Sequence, residues 1–194
     1  MKITSLRGKV AVITGAGSGF GREFARIAAA EGMALVLVDV QADALAETVA
    51  ELDGIDILHR TLDVTDGEAM EVLATDAFER FGAVHLLFNN AGVGSTGLLW
   101  EATTRDWEWV LGVNLWGTIH GVRAFVPRML SAANADAGYR GRVINTASMA
   151  GLIDPPLMGP YNVAKHAVVS LSETLYQDLS LVTDQVGCSV LCPS

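Results

Sequence analysis

Short apolar runs alternate along the chain with longer segments in which apolar and polar positions recur at helical spacing. The runs fall at 10–14, 34–39, 55–63, 84–89, 142–146 and 188–192. Their apolar character is nearly continuous, as in strands covered on both faces. The segments 21–31, 41–52, 66–81, 103–131 and 160–182 read as helices. Strands and helices in turn predict an α/β fold, a doubly wound parallel sheet with helices on both faces. No repeat, low-complexity stretch or linker interrupts the pattern, so 1–194 reads as a single domain. The one stretch rich in Pro and Gly, 151–160, is either a loop that starts the last helix or one wall of a pocket.

Composition narrows this picture. Of 194 residues, 51% are apolar and 18% charged, which fits a folded chain rather than a disordered one. The net charge of −9 disfavours nucleic acid and anionic membrane as partners, since both select clustered Lys and Arg. No apolar run reaches the roughly 18 residues of a membrane span. The N-terminal residues 1–12 carry basic side chains, and their apolar end reads as a first strand rather than a signal peptide. Cys188 and Cys192 share one apolar run; in a strand their Cα atoms would lie roughly 13 Å apart, too far for a disulfide. Two apolar thiols in a reducing compartment are the simpler reading, and the cytoplasm is the predicted location.

Candidate chemistry begins after the first run. Thr14-Gly15-Ala16-Gly17-Ser18-Gly19-Phe20-Gly21 follows a strand and opens a helix. That is the context in which a glycine turn holds a pyrophosphate against a helix N-terminus. Asp39 ends the second run, where a carboxylate can accept hydrogen bonds from a ribose hydroxyl. Alone, it could equally be a polar residue leaving a strand. A 2′-phosphate beside Asp39 would meet like charge. No Lys or Arg lies within 14–21, Val40 follows Asp39, and Arg22 is the nearest base. NAD is therefore expected rather than NADP.

Farther along, Tyr161 and Lys165 are four residues apart, about one helical turn, and share a helix face. A phenol has an unperturbed pKa of about 10, and a nearby ammonium favours the phenolate. Asn114 is a poor helix former at a helix-interior position, which by itself suggests a special role.

With these pieces in order, the chain resembles a classical short-chain dehydrogenase/reductase over essentially its whole length. The resemblance rests on Thr14-Gly15-x-x-x-Gly19-x-Gly21, Asp63-Val64, Asn89-Asn90-Ala91-Gly92, Asn114, Ser148 and Tyr161-x-x-x-Lys165. It implies a Rossmann-type sheet and hydride transfer between NAD and an alcohol or ketone. Gly15, Ser18, Gly19, Phe20, Gly21 and Asp39 would hold the cofactor. Asp63 and Val64, ending the third strand, would bracket its adenine, and Asn90, Ala91 and Gly92 would line its cleft. Ser148 would bond the substrate oxygen, and Tyr161 would be the acid/base and would also contact the cofactor. Lys165 would bind the nicotinamide ribose and lower the phenol pKa, and Asn114 would support a proton relay through a water. A homodimer or homotetramer paired through helices 103–131 and 160–182 is also implied.

The chain departs from the family pattern at its end, where Pro193-Ser194 stands for the usual Pro-Gly. The family continues through a substrate lid and a seventh strand, so the chain reads as C-terminally incomplete. The remaining pocket candidates, 93–98 and 150–160, are mostly apolar and suit a neutral, fairly apolar substrate. The four histidines are scattered without ligand spacing, so no metal site is expected. Trp100, Trp107, Trp109 and Trp116 read as core packing or, more sharply, as a subunit interface. A non-catalytic NAD-binding sensor or scaffold is the alternative function; a pure binder has no need of Ser148 or the phenol.

Overall fold

The computed structural model describes residues 5–194; residues 1–4, which carry part of the N-terminal reading, lie outside the described residues. The strands are β1 (Val10–Thr14), β2 (Ala34–Asp39), β3 (Ile57–Thr61), β4 (Leu86–Asn89), β5 (Gly141–Thr146) and β6 (Val186–Leu191). The helices are α1 (Gly19–Ala30), α2 (Ala42–Ala50), α3 (Gly67–Phe81), α4 (Thr104–Leu111), α5 (Gly117–Ala135), α6 (Ala150–Ile153) and α7 (Gly159–Val182). All strand pairs are parallel, in the order β3-β2-β1-β4-β5-β6. The chain starts at the centre, winds out to β3, crosses back to β4 and winds out the other way. This is the expected Rossmann-type sheet, and its winding reverses between β1 and β4.

The first strands show why their runs are continuously apolar. Val10 and Val12 of β1 pack into one core cluster, and Ala11 and Ile13 into another. β2 divides in the same way, Val36 and Val38 against Leu35 and Leu37. Successive strand side chains point to opposite faces, so a sheet covered twice needs apolar residues at every position. α1 and α2 cover one face through Ala25, Ala28 and Leu45. α3, α5 and α7 cover the other through Met70, Leu73, Phe125, Met129 and Leu179.

Several boundaries differ from the sequence reading. β3 is shorter than 55–63, because its partner β2 ends at Asp39, opposite Thr61. Asp63 and Val64 therefore lie beyond the strand; the Asp63 carboxylate accepts from the Thr65 amide at 2.9 Å and opens a turn. Regular pairing of β4 starts at Leu86, not at residue 84. β6 begins at Val186, two residues before the run at 188–192, with Gly187 interrupting the apolar pattern there, and runs beside β5 to Leu191. The Pro/Gly-rich stretch contains the short α6.

The expected helix over 103–131 starts with a capping box, Thr103 and Asp106 bonding each other's backbone, but does not run as one α-helix. A π-helical turn, Gly112–Trp116, separates α4 from α5. The core-packing reading fails for most of the tryptophans. Trp100, Trp109 and Trp116 are 79%, 50% and 51% exposed.

Candidate functional site

The glycine turn connects β1 to α1. Gly15 has φ +68°, and a Cβ there would lie 2.8 Å from the Ala91 Cα. A Cβ on Gly21 would run into the Gly15 carbonyl. Glycine is thus needed at the first position for conformation and contact, and at the second for close packing. Thr14 Oγ1 accepts from the amides of Asn90 and Ala91 at 3.0 and 3.1 Å, and the Asn90 side chain donates to the Thr14 carbonyl at 3.1 Å. These bonds lace the C-terminal ends of β1 and β4 together where the winding reverses. Ligands of open α/β sheets bind at that crevice.

Some helix N-termini in this fold carry side-chain caps and others do not. α3 is capped by Asp66 and α4 by Thr103. α1 has Ser18 at its N-cap with no side-chain bond, and no acid in its first turn. Its leading N–H groups and the positive end of its dipole are left facing the cleft, which suits an anionic group. A pyrophosphate therefore fits this terminus.

At the neighbouring strand end, Asp39 accepts from the Gly17 amide at 2.8 Å and from the Gln41 amide at 2.9 Å. The carboxylate is held at the cleft wall beside Val40 and Gln41. Arg22 cannot offset its charge there. Its guanidinium donates to the Gly17 carbonyl at 2.6 Å and pairs with Glu47 and Glu51 at 3.3 and 3.8 Å.

The other end of the cleft is built on α7. Pro160 in its first turn suits a helix start, and Tyr161 and Lys165 follow on one face. Lys165 is only 3% exposed, and its Nζ donates to the Thr146 carbonyl at 2.7 Å. Burial pushes its pKa down to about 8, opposed by the nearby Cys192. Nζ lies 5.6 Å from the centroid of the Tyr161 ring. Asn114, inside the π-helical turn, is buried and pairs with both backbone groups of Val93 at 2.8 Å. Ser148 Oγ donates to the Pro193 carbonyl at 3.4 Å and accepts from the Ala150 amide at 3.1 Å.

A cleft of about 1050 Å³ joins the two ends. Gly15, Ser18, Gly19, Phe20, Asp39, Asp63, Val64, Asn90, Ala91, Gly92, Tyr161 and Lys165 line it. Gly21 sits behind the turn, Asn114 stands behind the lining residues Gly92 and Val93, and Ser148 is turned toward the lining residue Pro193. Met158, within the pocket candidate 150–160, lines the cleft; the sequence reading missed Thr146 and also the α4 face of Arg105, Glu108 and Trp109. The last three were legible, since 105, 108, 109 and 112 repeat at helical spacing.

The model of the short chain dehydrogenase family matches residues 9–194. The chain belongs to this family. A "CLA biosynthesis dehydrogenase/reductase" of Lactiplantibacillus plantarum is 37% identical over 188 residues. The alignment covers 95% of this chain and 64% of that protein, so the chain spans under two thirds of that relative's length. A short chain dehydrogenase/reductase of Burkholderia phymatum, crystallised in complex with NAD, is 54% identical with a TM-score of 0.94, covering 98% of this chain and 67% of that one. An NAD+-bound xylitol dehydrogenase is 32% identical with a TM-score of 0.90, covering 97% and 70%.

The described residues run from 5 to 194. They hold no group of three or more His, Cys, Asp or Glu side chains placed to bind a metal ion. No helix among them is long and apolar enough to cross a membrane.

Proposed function

We propose that the protein is an NAD-dependent oxidoreductase acting on a neutral, fairly apolar alcohol or ketone. The observation that carries this reading is one cleft with two unlike ends. At one end is an uncapped helix terminus beside Asp39; at the other, a buried lysine one turn from a tyrosine. The NAD found in the solved relatives supports the cofactor.

NAD, when bound, supplies the acceptor or donor of the hydride. The chain's residues do the rest. The α1 terminus and the glycine turn hold the pyrophosphate, and Asp39 accepts from the adenosine ribose. Val64 and Asp63 border the adenine, with Ala91 and Gly92 along the cleft wall. Ser148 donates to the substrate oxygen, where charge builds as the carbon changes oxidation state. Tyr161 takes or gives the hydroxyl proton at that oxygen. Lys165 donates to the nicotinamide ribose and keeps its charge beside the phenol. Asn114 holds the Val93 backbone and supports the relay to Lys165. Oxidation removes a hydride from carbon and a proton from oxygen, so one base at one oxygen balances the reaction.

Tyr161→Phe tests the assignment. It removes one hydroxyl and keeps the ring, so turnover should vanish while the Kd for NAD stays within about threefold by calorimetry, because the ring, the glycine turn, Asp39 and Lys165 all keep their places around the cofactor. Near-normal turnover in this variant would refute the acid/base role. The cofactor choice has its own test. Asp39→Ala combined with Val40→Arg should move the ratio of NAD to NADP affinity toward NADP, by removing repulsion and adding a phosphate partner. Equal or tighter binding of NADP by the unaltered protein would sink the assignment.

We also propose a homodimer or homotetramer formed through α4, α5 and α7. The exposed Trp109, Tyr176 and Leu181 on these helices, and Trp116 in the π-helical turn between α4 and α5, support it. Two free thiols suit a reducing compartment, and we place the protein in the cytoplasm on that ground.

A further inference from the structure

The residues that immediately follow Tyr161 and Lys165 also follow each other at one helical turn. Asn162 is buried, and its Nδ2 donates to the Pro155 carbonyl at 2.8 Å. Its backbone amide donates to the Met158 carbonyl at 2.8 Å. His166 is exposed on the same helix, with its Nδ1 2.9 Å from the Gly151 carbonyl. A carbonyl oxygen only accepts, so Nδ1 carries the proton in this contact. Gly151 itself lies directly on the helix backbone. A Cβ there would stand 2.6 Å from the Lys165 carbonyl carbon and 2.8 Å from the His166 nitrogen.

These contacts grip a segment that matters to the site at both its ends. At one end, the Gly151 amide donates to the Ser148 carbonyl at 3.0 Å, and the Ala150 amide to the Ser148 hydroxyl at 3.1 Å. At the other end, Met158 lines the cleft, and Gly97 bridges to it from the facing loop. Between the ends, Asp154 and Leu157 stand at φ +47° and +66°, a region that costs non-glycine residues energy and needs outside support. The side chains that grip the segment come from α7, the helix that carries Tyr161 and Lys165.

We propose that Asn162 and His166 are positioning residues. His166 registers the Ser148 turn against the helix that carries the acid/base, and Asn162 fixes the substrate wall at 155–158. The inference rests on the proposed roles of Ser148 and Tyr161. Its kinetic consequence is a split. Loosening the turn moves the donor relative to the phenol and lowers kcat. Loosening the wall weakens substrate binding and raises KM. Neither change reaches the glycine turn, so cofactor affinity stays.

The test uses the full chain, NAD, and a probe panel of 2-octanol, cyclohexanol and 1-phenylethanol. His166→Leu should lower kcat about 10- to 100-fold, the scale set by a displacement of about 1 Å at a reacting group. His166→Asn can present an N–H near the place of Nδ1 and should recover activity to within about threefold of the unaltered protein. In a Ser148→Ala background, His166→Leu should cost little more, because both changes remove one function. Asn162→Leu should raise KM about tenfold or more with a smaller change in kcat.

Several outcomes overturn the proposal. It falls if His166→Leu keeps the unaltered kcat, or costs the same factor with and without Ser148. It falls too if either variant loses NAD affinity in step with turnover. His166 is exposed, so its arm stands even if Asn162→Leu does not accumulate as folded protein. If the unaltered protein turns over none of the panel, or Tyr161→Phe remains active, the proposed function falls first. If Tyr161→Phe is dead and both leucine variants are normal, only the positioning roles fall.

Discussion

Lys165 carries the sharpest conflict between stability and function at the scale of single residues. Its ammonium is buried and has one hydrogen-bond partner, the Thr146 carbonyl. The folded pKa of about 8 lies below the ordinary value of 10.5. Between those values the unfolded chain binds the proton more tightly, so stability rises with pH across that window. Below about pH 8 the full cost of burying the charge is present. Lys165→Met should therefore abolish turnover yet stabilise the protein at pH 7. We expect a net gain of about 1–2 kcal/mol, after subtracting the lost bond to Thr146. The gain should shrink as pH rises from 8 toward 10.5; melting temperatures of both proteins over that range check it.

Much at this scale was legible beforehand. Gly15, Asp39, Tyr161 and Lys165 declare themselves by residue type and spacing, and the structure sets all four around one cleft. Asn162 and His166 did not. Their partners are backbone carbonyls of another segment, and no residue type in a sequence marks a carbonyl that will need a donor.

Among the elements, the strands were easier to read than what lies between them. Burial on both faces writes itself into composition, whereas the ends of β3 and β4 depend on how far a partner strand runs. The π-helical turn leaves only a faint trace, in Gly112 and Asn114 within it and Gly117 at its end. One inter-strand contact supports a prediction of its own. His85 precedes β4, and its Nδ1 accepts from the Val10 amide of β1 at 3.2 Å, with the Tyr139 ring 5.3 Å away. Burial, aided by the charge of Lys9, lowers its pKa from 6.5 to about 4. In that interval the unfolded chain takes up the proton first, and a proton on Nδ1 would cancel the bond to Val10. Stability should fall as pH drops from about 6.5 to 4 and level off below, by roughly 3 kcal/mol at most. His85→Asn keeps an acceptor that does not titrate and should flatten that slope in urea unfolding measured at each pH. An unchanged slope would count against the strand contact as its source.

The whole molecule was the most legible scale, because strand and helix alternation leaves few topologies open. The tryptophans were the exception. Apolar size argued for the core, but the core is already filled by the alternating strand residues and by Phe125 and Met129. The reversal of winding between β1 and β4 has a mechanical side. On one side of that line stand β1 to β3, and on the other β4 to β6, joined across it by the β1–β4 ladder and the Thr14–Asn90 bonds. The line is a seam, and the cleft runs along its open end. A dinucleotide lying there, gripping α1 and Asp39 on one flank and Lys165 on the other, would act as a rivet. Heating should open the empty protein along this seam. NAD at about 100 times its Kd should add about 2.7 kcal/mol against unfolding. Hydrogen exchange should then slow on both flanks together, at 14–21 and at 89–93, even though far more of the chain separates these segments than either contains.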